Sequence, residues 1–163
     1  MPNGSHDSLE RAAPDRPKAG NRRNVMSRKK STYPEGVRVG RSSAGLGLFA
    51  LRPFKKGERI IEYVGRTLPN AEAYTSRSKY LFEVNSRKTI DGAARANIAR
   101  YINHSCRPNC DPEIERGHIF IDAIRFIKTG EELSYNYGKE YVDEHIKPYG
   151  CRCAKCALYG SRS

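Results

Sequence analysis

Five cysteines are the residues whose type and spacing point most directly to chemistry. Cys151, Cys153 and Cys156 fall within six residues near the end of the chain, and Cys106 and Cys110 precede them. Cysteines this crowded pair poorly as disulfides but suit the tetrahedral sulfur coordination of zinc. The odd number of cysteines and the absence of an apolar secretory signal argue against a disulfide-stabilised secreted protein. The spacing therefore predicts a zinc site near the C-terminus.

A run of polar residues forms a second group that could do chemistry. Asn103, His104 and Ser105 adjoin Cys106 at the end of a predicted short helix, and Pro108 stops that helix. An Asn-His pair is most often a helix cap or a satisfied buried pair, and a single cysteine is most often part of a core. Taken alone, the run is compatible with a structural role as well as with a ligand site.

Two closely spaced glycines form a third group. Residues 45–50 fit the G-x-G-x-x-G/A fingerprint of dinucleotide-binding folds. We reject this interpretation because Pro53 and Gly57 would interrupt the required helix, and because the chain has too little predicted helix to cover a doubly wound sheet. Gly45 and Gly47 could still let the backbone approach a ligand closely, or they could form an ordinary turn.

The elements that must position these groups are mostly short strands. Short runs of β-branched and aromatic residues, separated by Gly, Pro and Lys-Gly turns, predict strands at 37–39, 48–50, 58–64, 80–84, 118–121 and 132–135. Helical patterns occur only at 71–78 and 94–101. The sequence thus predicts a mostly β fold of several small antiparallel sheets with few short helices.

The chain is basic both in its N-terminal segment and in the remainder. Its formal net charge is +12, and residues 1–33 contribute eight Lys or Arg against three Asp or Glu. Because this segment is rich in Pro, Gly and Ser and nearly free of aromatic residues, we expect residues 1–34 to form a disordered basic tail. A positive surface favours nucleic acid or acidic partners, although it also simply keeps a protein soluble. No run approaches the ~18 apolar residues of a membrane helix, so we expect no membrane contact.

Four segments occur together in one order. The glycine pair comes first, residues 100–109 read R-Y-I-N-H-S-C-R-P-N, residues 132–137 read E-L-S-Y-N-Y, and the cysteine-rich tail follows. In this order they resemble the SET-domain protein lysine methyltransferase family with a zinc-binding post-SET tail. The resemblance covers about residues 36–157.

The resemblance implies a SET fold, in which small sheets surround a knot-like core and a C-terminal segment threads through an earlier loop. It divides the chain into the basic tail at 1–34, a SET domain at 35–138 and a post-SET zinc-binding tail at 139–163. The sequence departs from the family pattern in three places. Ala96 replaces a glycine, Asn136 replaces an aspartate, and the last two cysteines are separated by two residues rather than four.

The resemblance further implies a site for S-adenosylmethionine. Gly45, Leu46 and Gly47 would contact the methionine part of this cofactor through their backbone. The residues that would hold its amino-acid end and its adenine are Arg100, Asn103 and His104. Tyr137 would also contact the cofactor, as the tyrosine nearest to the transferred methyl group.

Three tyrosines would form the catalytic channel. Tyr80 would line the path of the lysine, and Tyr135 alternates with Tyr137 along a strand, so both rings face the same side. By resemblance, a tyrosine at position 135 narrows the channel and favours fewer methyl additions. The lysine amine must be neutral to attack, which costs about 4.6 kcal/mol at pH 7. A sulfonium ~4 Å away opposes the ammonium by roughly 4 kcal/mol, and apolar walls act in the same direction, so no dedicated general base is required.

By resemblance, Cys106 is the fourth ligand of a structural zinc, together with Cys151, Cys153 and Cys156. The metal would tie the C-terminal tail to the wall of the active site. Cys110 lies close enough in the sequence to compete for this role. Its simpler interpretation is an inert buried thiol.

We expect a monomeric enzyme of the cytoplasm or nucleus that acts on a protein substrate presenting a lysine in an extended segment, such as a histone-like tail. The basic tail would also permit contact with nucleic acid. Two alternatives remain open at this point. One is a SET-like protein-binding module without catalysis, and the other is a basic nucleic-acid-binding protein with a structural zinc.

Overall fold

The computed structural model describes residues 34–159. The disordered tail predicted at 1–34 lies outside the described residues except for Pro34, and residues 160–163 of the predicted zinc-binding tail lie outside them as well. No helix in the described part of the chain has the length and apolar composition that a membrane span requires.

Within residues 34–159, ten strands form four small sheets. Their bounds are Val37–Ser42 (β1), Gly45–Ala50 (β2), Arg59–Tyr63 (β3), Arg66–Pro69 (β4), Leu81–Asn85 (β5), Lys88–Asp91 (β6), Asn103–His104 (β7), Cys110–Glu115 (β8), His118–Ala123 (β9) and Ser134–Tyr135 (β10). β1 and β2 form an antiparallel hairpin, β3-β9-β8 and β4-β6-β5 form antiparallel sheets, and β7 pairs with β10 in parallel. The predicted fold class of small antiparallel sheets with few short helices is confirmed.

The core is built from alternate positions of the strands. In β9, Ile119, Ile121 and Ala123 are buried, and the residues between them are more exposed. This period of two is expected for a strand that has one face against a core. Phe54 and Ile127 are fully buried and exchange two backbone hydrogen bonds of 3.0 and 2.9 Å, which hold the segments after β2 and β9 together.

The parallel pair of β7 and β10 joins distant parts of the chain. Tyr135 pairs with His104, and the Tyr135 carbonyl accepts a hydrogen bond of 3.0 Å from the amide of Ser105. The amide of Asn109 donates to the carbonyl of Ser134 at 3.1 Å. The segment around Ser134 is thereby fixed beside the polar run that was predicted to carry the site.

Both predicted helices are shorter than expected. The pattern at 71–78 gives only the helix Asn70–Ala73, and the pattern at 94–101 gives only a 3-10 helix, Ile98–Tyr101. Side chains that bond to nearby backbone account for these differences. The Thr75 hydroxyl donates to the Glu72 carbonyl at 3.0 Å, and such local bonds compete with helix continuation. Buried Asn97 donates to the Gly92 carbonyl at 3.1 Å and fixes a turn there.

Several observed elements lie outside the predicted ones. They include β4, β6 and β8, and the short helices Lys139–Tyr141, Val142–Ile146 (a π-helix), Lys147–Tyr149 (a 3-10 helix) and Ala154–Tyr159. β8 lacks the run of β-branched and aromatic residues that predicts a strand, because it contains Pro112 and alternating acidic residues. Proline is tolerated there because β8 is an edge strand.

Candidate active site

One cavity brings together all three predicted channel tyrosines and three of the other predicted cofactor residues, whereas Gly45 and Gly47 do not line it. Its volume is about 630 Å³. The predicted residues that line it are Leu46, Tyr80, Arg100, Asn103, Tyr135 and Tyr137. His104 lines three smaller cavities, one of about 290 Å³ and two of about 220 Å³ each, and the latter two share Asn103 and Ala44 with the large one. A concave space with aromatic walls and a few convergent polar groups has the character of a small-molecule site.

An aromatic wall forms one side of the large cavity. The ring centroids of Tyr135 and Tyr137 lie 5.0 Å apart, and Tyr137 lies 5.2 Å from Tyr141. Phe82 lies 6.5 Å from Tyr135 and 5.6 Å from Tyr63. Because each ring packs against the next, the wall is rigid and largely apolar.

Tyr137 is held by hydrogen bonds at both its backbone and its hydroxyl. Its amide donates to Nδ1 of His104 at 3.3 Å, and its hydroxyl donates to the carbonyl of Ile102 at 2.7 Å. Burial is the largest cause that raises the pKa of both Tyr135 and Tyr137 above the ordinary value near 10. Both hydroxyls are therefore protonated at physiological pH in this structure.

Asn103 and His104 enter the site from β7. The Asn103 carboxamide donates to the Leu46 carbonyl at 2.9 Å and to Oε1 of Glu132 at 2.8 Å. The His104 ring lies against Tyr137 with a centroid distance of 5.5 Å, and burial lowers the pKa of His104. These contacts join the β2 strand, the polar run and the aromatic wall into one unit.

The two glycines of the motif have different surroundings. Gly45 has φ +115, and nothing lies within 4 Å of the position that a Cβ would take. A ligand can approach the backbone there without meeting a side chain. A Cβ on Gly47 would instead overlap Oε1 of Glu132, so protein already fills that space.

Arg100 provides an observation that tests whether the proposed cofactor fits. Its guanidinium carbon lies 3.9 Å from the centroid of the Tyr80 ring, and one N–H donates to the carbonyl of Ala93. Its Nε is buried and has no hydrogen-bond partner among the residues that the structure describes. A buried donor without an acceptor is costly. Arg100 also lines the cavity, and a carboxylate is an acceptor of the kind that this guanidinium lacks, which agrees with the amino-acid end of S-adenosylmethionine at this position.

The four cysteines predicted to bind zinc lie together. The Sγ atoms of Cys106, Cys151, Cys153 and Cys156 are all within 4.8 Å of one another. Sγ of Cys106 lies 3.8 Å from that of Cys151 and 3.7 Å from that of Cys156. A tetrahedron with Zn–S distances of about 2.3 Å has edges of about 3.8 Å. The two separations that involve Cys106 match this edge, so the cluster could hold a zinc ion.

The thiols of this cluster differ in their tendency to ionise. Burial opposes ionisation of Cys153, but backbone hydrogen bonds from Cys106 and Cys156 outweigh it and lower the pKa of Cys153 to about 6. Burial, followed by hydrogen bonds with Cys156 and Cys151, raises the pKa of Cys106 to about 12. Because thiolates are the metal ligands, zinc binding here would release protons.

Cys110 lies outside this cluster. It is fully buried, its thiol donates to Oδ1 of Asn109 at 3.3 Å, and burial raises its pKa to about 12. These surroundings agree with the interpretation of Cys110 as an inert thiol, since reactive cysteines are exposed and have low pKa values.

Tyr141 is a cavity residue that the sequence patterns did not reveal. It lines both the large cavity and one of the smaller ones, where His145 and Tyr149 accompany it. Its ring lies 4.6 Å from that of His145. The available signal was a spacing of four residues from Tyr137 through Tyr149, which places aromatic rings on one face of a helix.

Comparison with known proteins identifies the relatives of this chain. The trithorax histone-lysine N-methyltransferase of Drosophila virilis is 37% identical over 143 residues, which cover 80% of this chain and 4% of that protein. The H3 lysine-4-specific histone-lysine N-methyltransferase of Kluyveromyces lactis is 40% identical over 127 residues, which cover 70% of this chain and 13% of that protein. The chain therefore spans a small fraction of the length of these relatives.

Solved structures are also similar to this chain. A chain of Chaetomium thermophilum polycomb repressive complex 2 matches with a TM-score of 0.58 and 32% identity, over 66% of this chain and 16% of that one. The ctPRC2 complex in an autoinhibited conformation bound to S-adenosylmethionine matches with a TM-score of 0.58 and 33% identity, over 65% of this chain and 15% of that one.

The family model described as SET domain matches residues 45–138, which is more than half of the chain. This range includes the glycine pair, the polar run and both tyrosines of the aromatic wall. The resemblance inferred from four ordered motifs is confirmed, and the chain belongs to the SET domain family.

Proposed function

We propose that the chain is an S-adenosylmethionine-dependent protein-lysine N-methyltransferase. The observation that carries this proposal is that one cavity contains Tyr135 and Tyr137 on its aromatic wall and Asn103 and Arg100 among its polar groups. The relatives named above are histone-lysine N-methyltransferases, and one structural relative is bound to S-adenosylmethionine.

We propose that two kinds of contact hold the cofactor. Leu46 lines the cavity, and its neighbour Gly45 presents no side chain, so the backbone of these two residues could contact the cofactor. The groups that would bind the amino-acid end and the adenine are Arg100, Asn103 and His104. When bound, S-adenosylmethionine supplies an activated methyl group on a positively charged sulfur.

The aromatic residues would hold a neutral lysine amine in line for reaction. Keeping that amine neutral at pH 7 costs about 4.6 kcal/mol, and desolvation by apolar walls lowers this cost. The Tyr137 hydroxyl donates its hydrogen bond to the Ile102 carbonyl, so its oxygen remains free to accept a hydrogen bond from an N–H of the substrate amine. A fixed acceptor of this kind aims the nitrogen lone pair. Tyr80 and Tyr135 would line the path of the side chain.

The open edge of β5 is our candidate for binding the substrate backbone. β5 lies at the end of the order β4-β6-β5, so its outer side has no partner strand among residues 34–159. An extended peptide could add a strand there and present a lysine to the cavity, which Leu81, Phe82 and Glu83 line. We propose a histone-like basic tail as the substrate, action as a monomer in the nucleus, and contact of the basic segment 1–34 with nucleic acid.

We propose that residues 35–138 form the catalytic SET domain and that 139–163 form a tail fixed by zinc. Cys106 follows His104 by two residues, so a metal held by Cys106 and the three tail cysteines would connect the tail to the polar run. Tyr141 and Tyr149, which precede the cysteines, would then stay against the cavities they line.

The proposal is tested by binding and by transfer. Calorimetry with S-adenosylmethionine should show one site per chain, and incubation with labelled cofactor and histone H3 should label lysine side chains, read by mass spectrometry. Tyr137→Phe removes the hydroxyl that aims the amine and should lower kcat about 100-fold while the cofactor still binds. Tyr74→Phe is the matched control, because Tyr74 is 79% exposed and does not line the cavity.

The outcomes separate the alternatives. Binding without transfer to any protein of a whole-proteome extract would indicate a SET-like binding module. No binding of S-adenosylmethionine by zinc-loaded protein would contradict the proposal and favour a nucleic-acid-binding zinc protein.

A further inference from the structure

The carboxylate of Glu132 occupies a pocket that the absence of a side chain at Gly47 creates. A Cβ built on Gly47 would overlap Oε1 of Glu132 and lie 3.0 Å from its Cδ. It would also lie 3.0 Å from Cβ of Ser42. The space beside this glycine is therefore filled from within the protein.

Glu132 uses both carboxylate oxygens inside this pocket. Oε1 accepts a hydrogen bond of 2.8 Å from Nδ2 of Asn103, and Oε2 accepts one of 2.9 Å from the Ser42 hydroxyl. The backbone of Glu132 forms an isolated bridge to Phe49 of β2. The side chain is thus anchored to β1, and its backbone to β2, while it reaches β7.

These contacts fix the orientation of the Asn103 carboxamide. Its amide nitrogen carries two hydrogens, and the acceptors are the Leu46 carbonyl at 2.9 Å and Glu132 at 2.8 Å. With both hydrogens engaged, the carboxamide cannot flip without losing two bonds to acceptors. Its Oδ1 atom is left as the acceptor that Asn103 can offer to a ligand.

We propose that Glu132 is a positioning residue for the cofactor site, and that Gly47 is a glycine in order to seat this carboxylate. The inference rests on the proposed function, because Asn103 is one of the residues assigned there to the cofactor. Glu132 sets Asn103 to present an acceptor, which suits the ammonium group of an amino-acid ligand. Gly45, with open space beside it, keeps the role of close backbone approach.

The first test compares three variants by calorimetry with S-adenosylmethionine. Glu132→Ala removes the acceptors and should weaken binding about 10- to 100-fold, the range expected for a hydrogen bond to a charged group. Glu132→Gln keeps one oxygen for Asn103 and should stay within about threefold of wild type. Glu131→Ala is the control, since it removes a neighbouring carboxylate that pairs with Arg125 instead.

The second test is a double-mutant cycle that reports on Gly47. If Gly47 seats Glu132, Gly47→Ala should weaken cofactor binding strongly in the wild-type background and by less than about threefold in the Glu132→Ala background. Equal losses in both backgrounds would show that Gly47 acts on the ligand directly, and the inference would be wrong. If Glu132→Ala lacks a cooperative thermal transition, Glu132→Leu replaces it in the first test, because leucine keeps volume without an acceptor. The cycle then uses Glu132→Ser, whose short side chain leaves the space beside Gly47 open.

The experiments distinguish failure of the proposed function from failure of the positioning role of Glu132. Wild-type protein that does not bind S-adenosylmethionine contradicts the proposed function. Wild-type protein that binds it with the same affinity as a folded Glu132→Ala or Glu132→Leu variant contradicts only the positioning role. In turnover assays the loss should lie in KM for the cofactor rather than in kcat.

Discussion

The rings of Tyr135 and Tyr137 lie 5.0 Å apart on the same side of the chain, with only Asn136 between them. Tyr135 is 9% exposed, whereas the Tyr137 hydroxyl is fixed by the Ile102 carbonyl. The two residues therefore have different tasks in the proposed channel. We propose that Tyr137 aims the amine and that Tyr135 limits the space around it.

Replacing Tyr135 with phenylalanine should increase the number of methyl groups added. The change removes one hydroxyl from the channel wall and leaves the ring that packs 6.5 Å from Phe82. The ratio of dimethylated plus trimethylated to monomethylated product, measured by mass spectrometry on a histone H3 peptide, should rise about tenfold. Tyr74→Phe is the control, and an unchanged product ratio would exclude a limiting role for the Tyr135 hydroxyl.

Removing one cysteine of the cluster should remove the metal. Cys106→Ala leaves three sulfurs, so zinc content measured by mass spectrometry should fall from one per chain to well below one. Stability should fall by at least about 2 kcal/mol, or roughly 4–8 °C in melting temperature for a domain of this size. Cys110→Ala is the matched control and should keep its zinc. Full retention of zinc by Cys106→Ala would point to another fourth ligand.

Gly65→Ala should destabilise the fold far more than Gly130→Ala. A Cβ on Gly65 would lie 2.6 Å from the carbonyl carbon of Asp91. Because this is a contact with backbone, one of the two backbone segments would have to move to relieve it. The expected loss is about 2–3 kcal/mol in the free energy of unfolding, measured with urea. Gly130 has φ +88 and open space, so alanine there should cost only about 1 kcal/mol. Equal losses would contradict the close approach at Gly65.

Stability should fall as the pH rises above about 10. Burial raises the pKa of Tyr63, Tyr135 and Tyr137 in the folded chain. Below pH 10 these hydroxyls are protonated in both the folded and the unfolded chain, so their contribution to the free energy of unfolding is fully present. Above it the unfolded chain ionises first and is favoured, so stability is lost. Melting temperatures between pH 8 and 11 should fall less steeply for Tyr135→Phe than for wild type. Equal slopes for the two proteins would show that ionisation of Tyr135 does not cause the loss of stability.

The parts of the site that were predictable are those in which chemistry dictates residue type and spacing. The cysteine cluster could be predicted because Cys151, Cys153 and Cys156 are too closely spaced to pair readily as disulfides, whereas this spacing suits zinc ligands. The order of the motifs was equally informative. The short helices were mispredicted because Asn97 and Thr75 bond to the backbone in ways that periodicity does not show.

The parts that were not predictable depend on tertiary contacts. Glu132 reads as the first residue of a strand, and only the folded chain shows its carboxylate between Ser42 and Asn103. Tyr141 belongs to a run of aromatic residues spaced by four, but that spacing does not show which side of the chain faces the cavity, and its place there follows from packing against Tyr137.

The parallel pairing of β7 with β10 has a consequence for the order in which the molecule can be made. Asn103 leaves the ribosome before Ser134, its partner in that pairing, so no cavity can form while the intervening chain is still being translated. Such non-local pairing forms slowly, because the entropy of closing the intervening loop is lost before the stabilising contacts form. A nascent chain that ends before Ser134 therefore carries the polar run, the glycine pair and only Tyr63 and Phe82 of the aromatic wall, and it completes the cavity only after Tyr135, Tyr137 and Tyr141 are made.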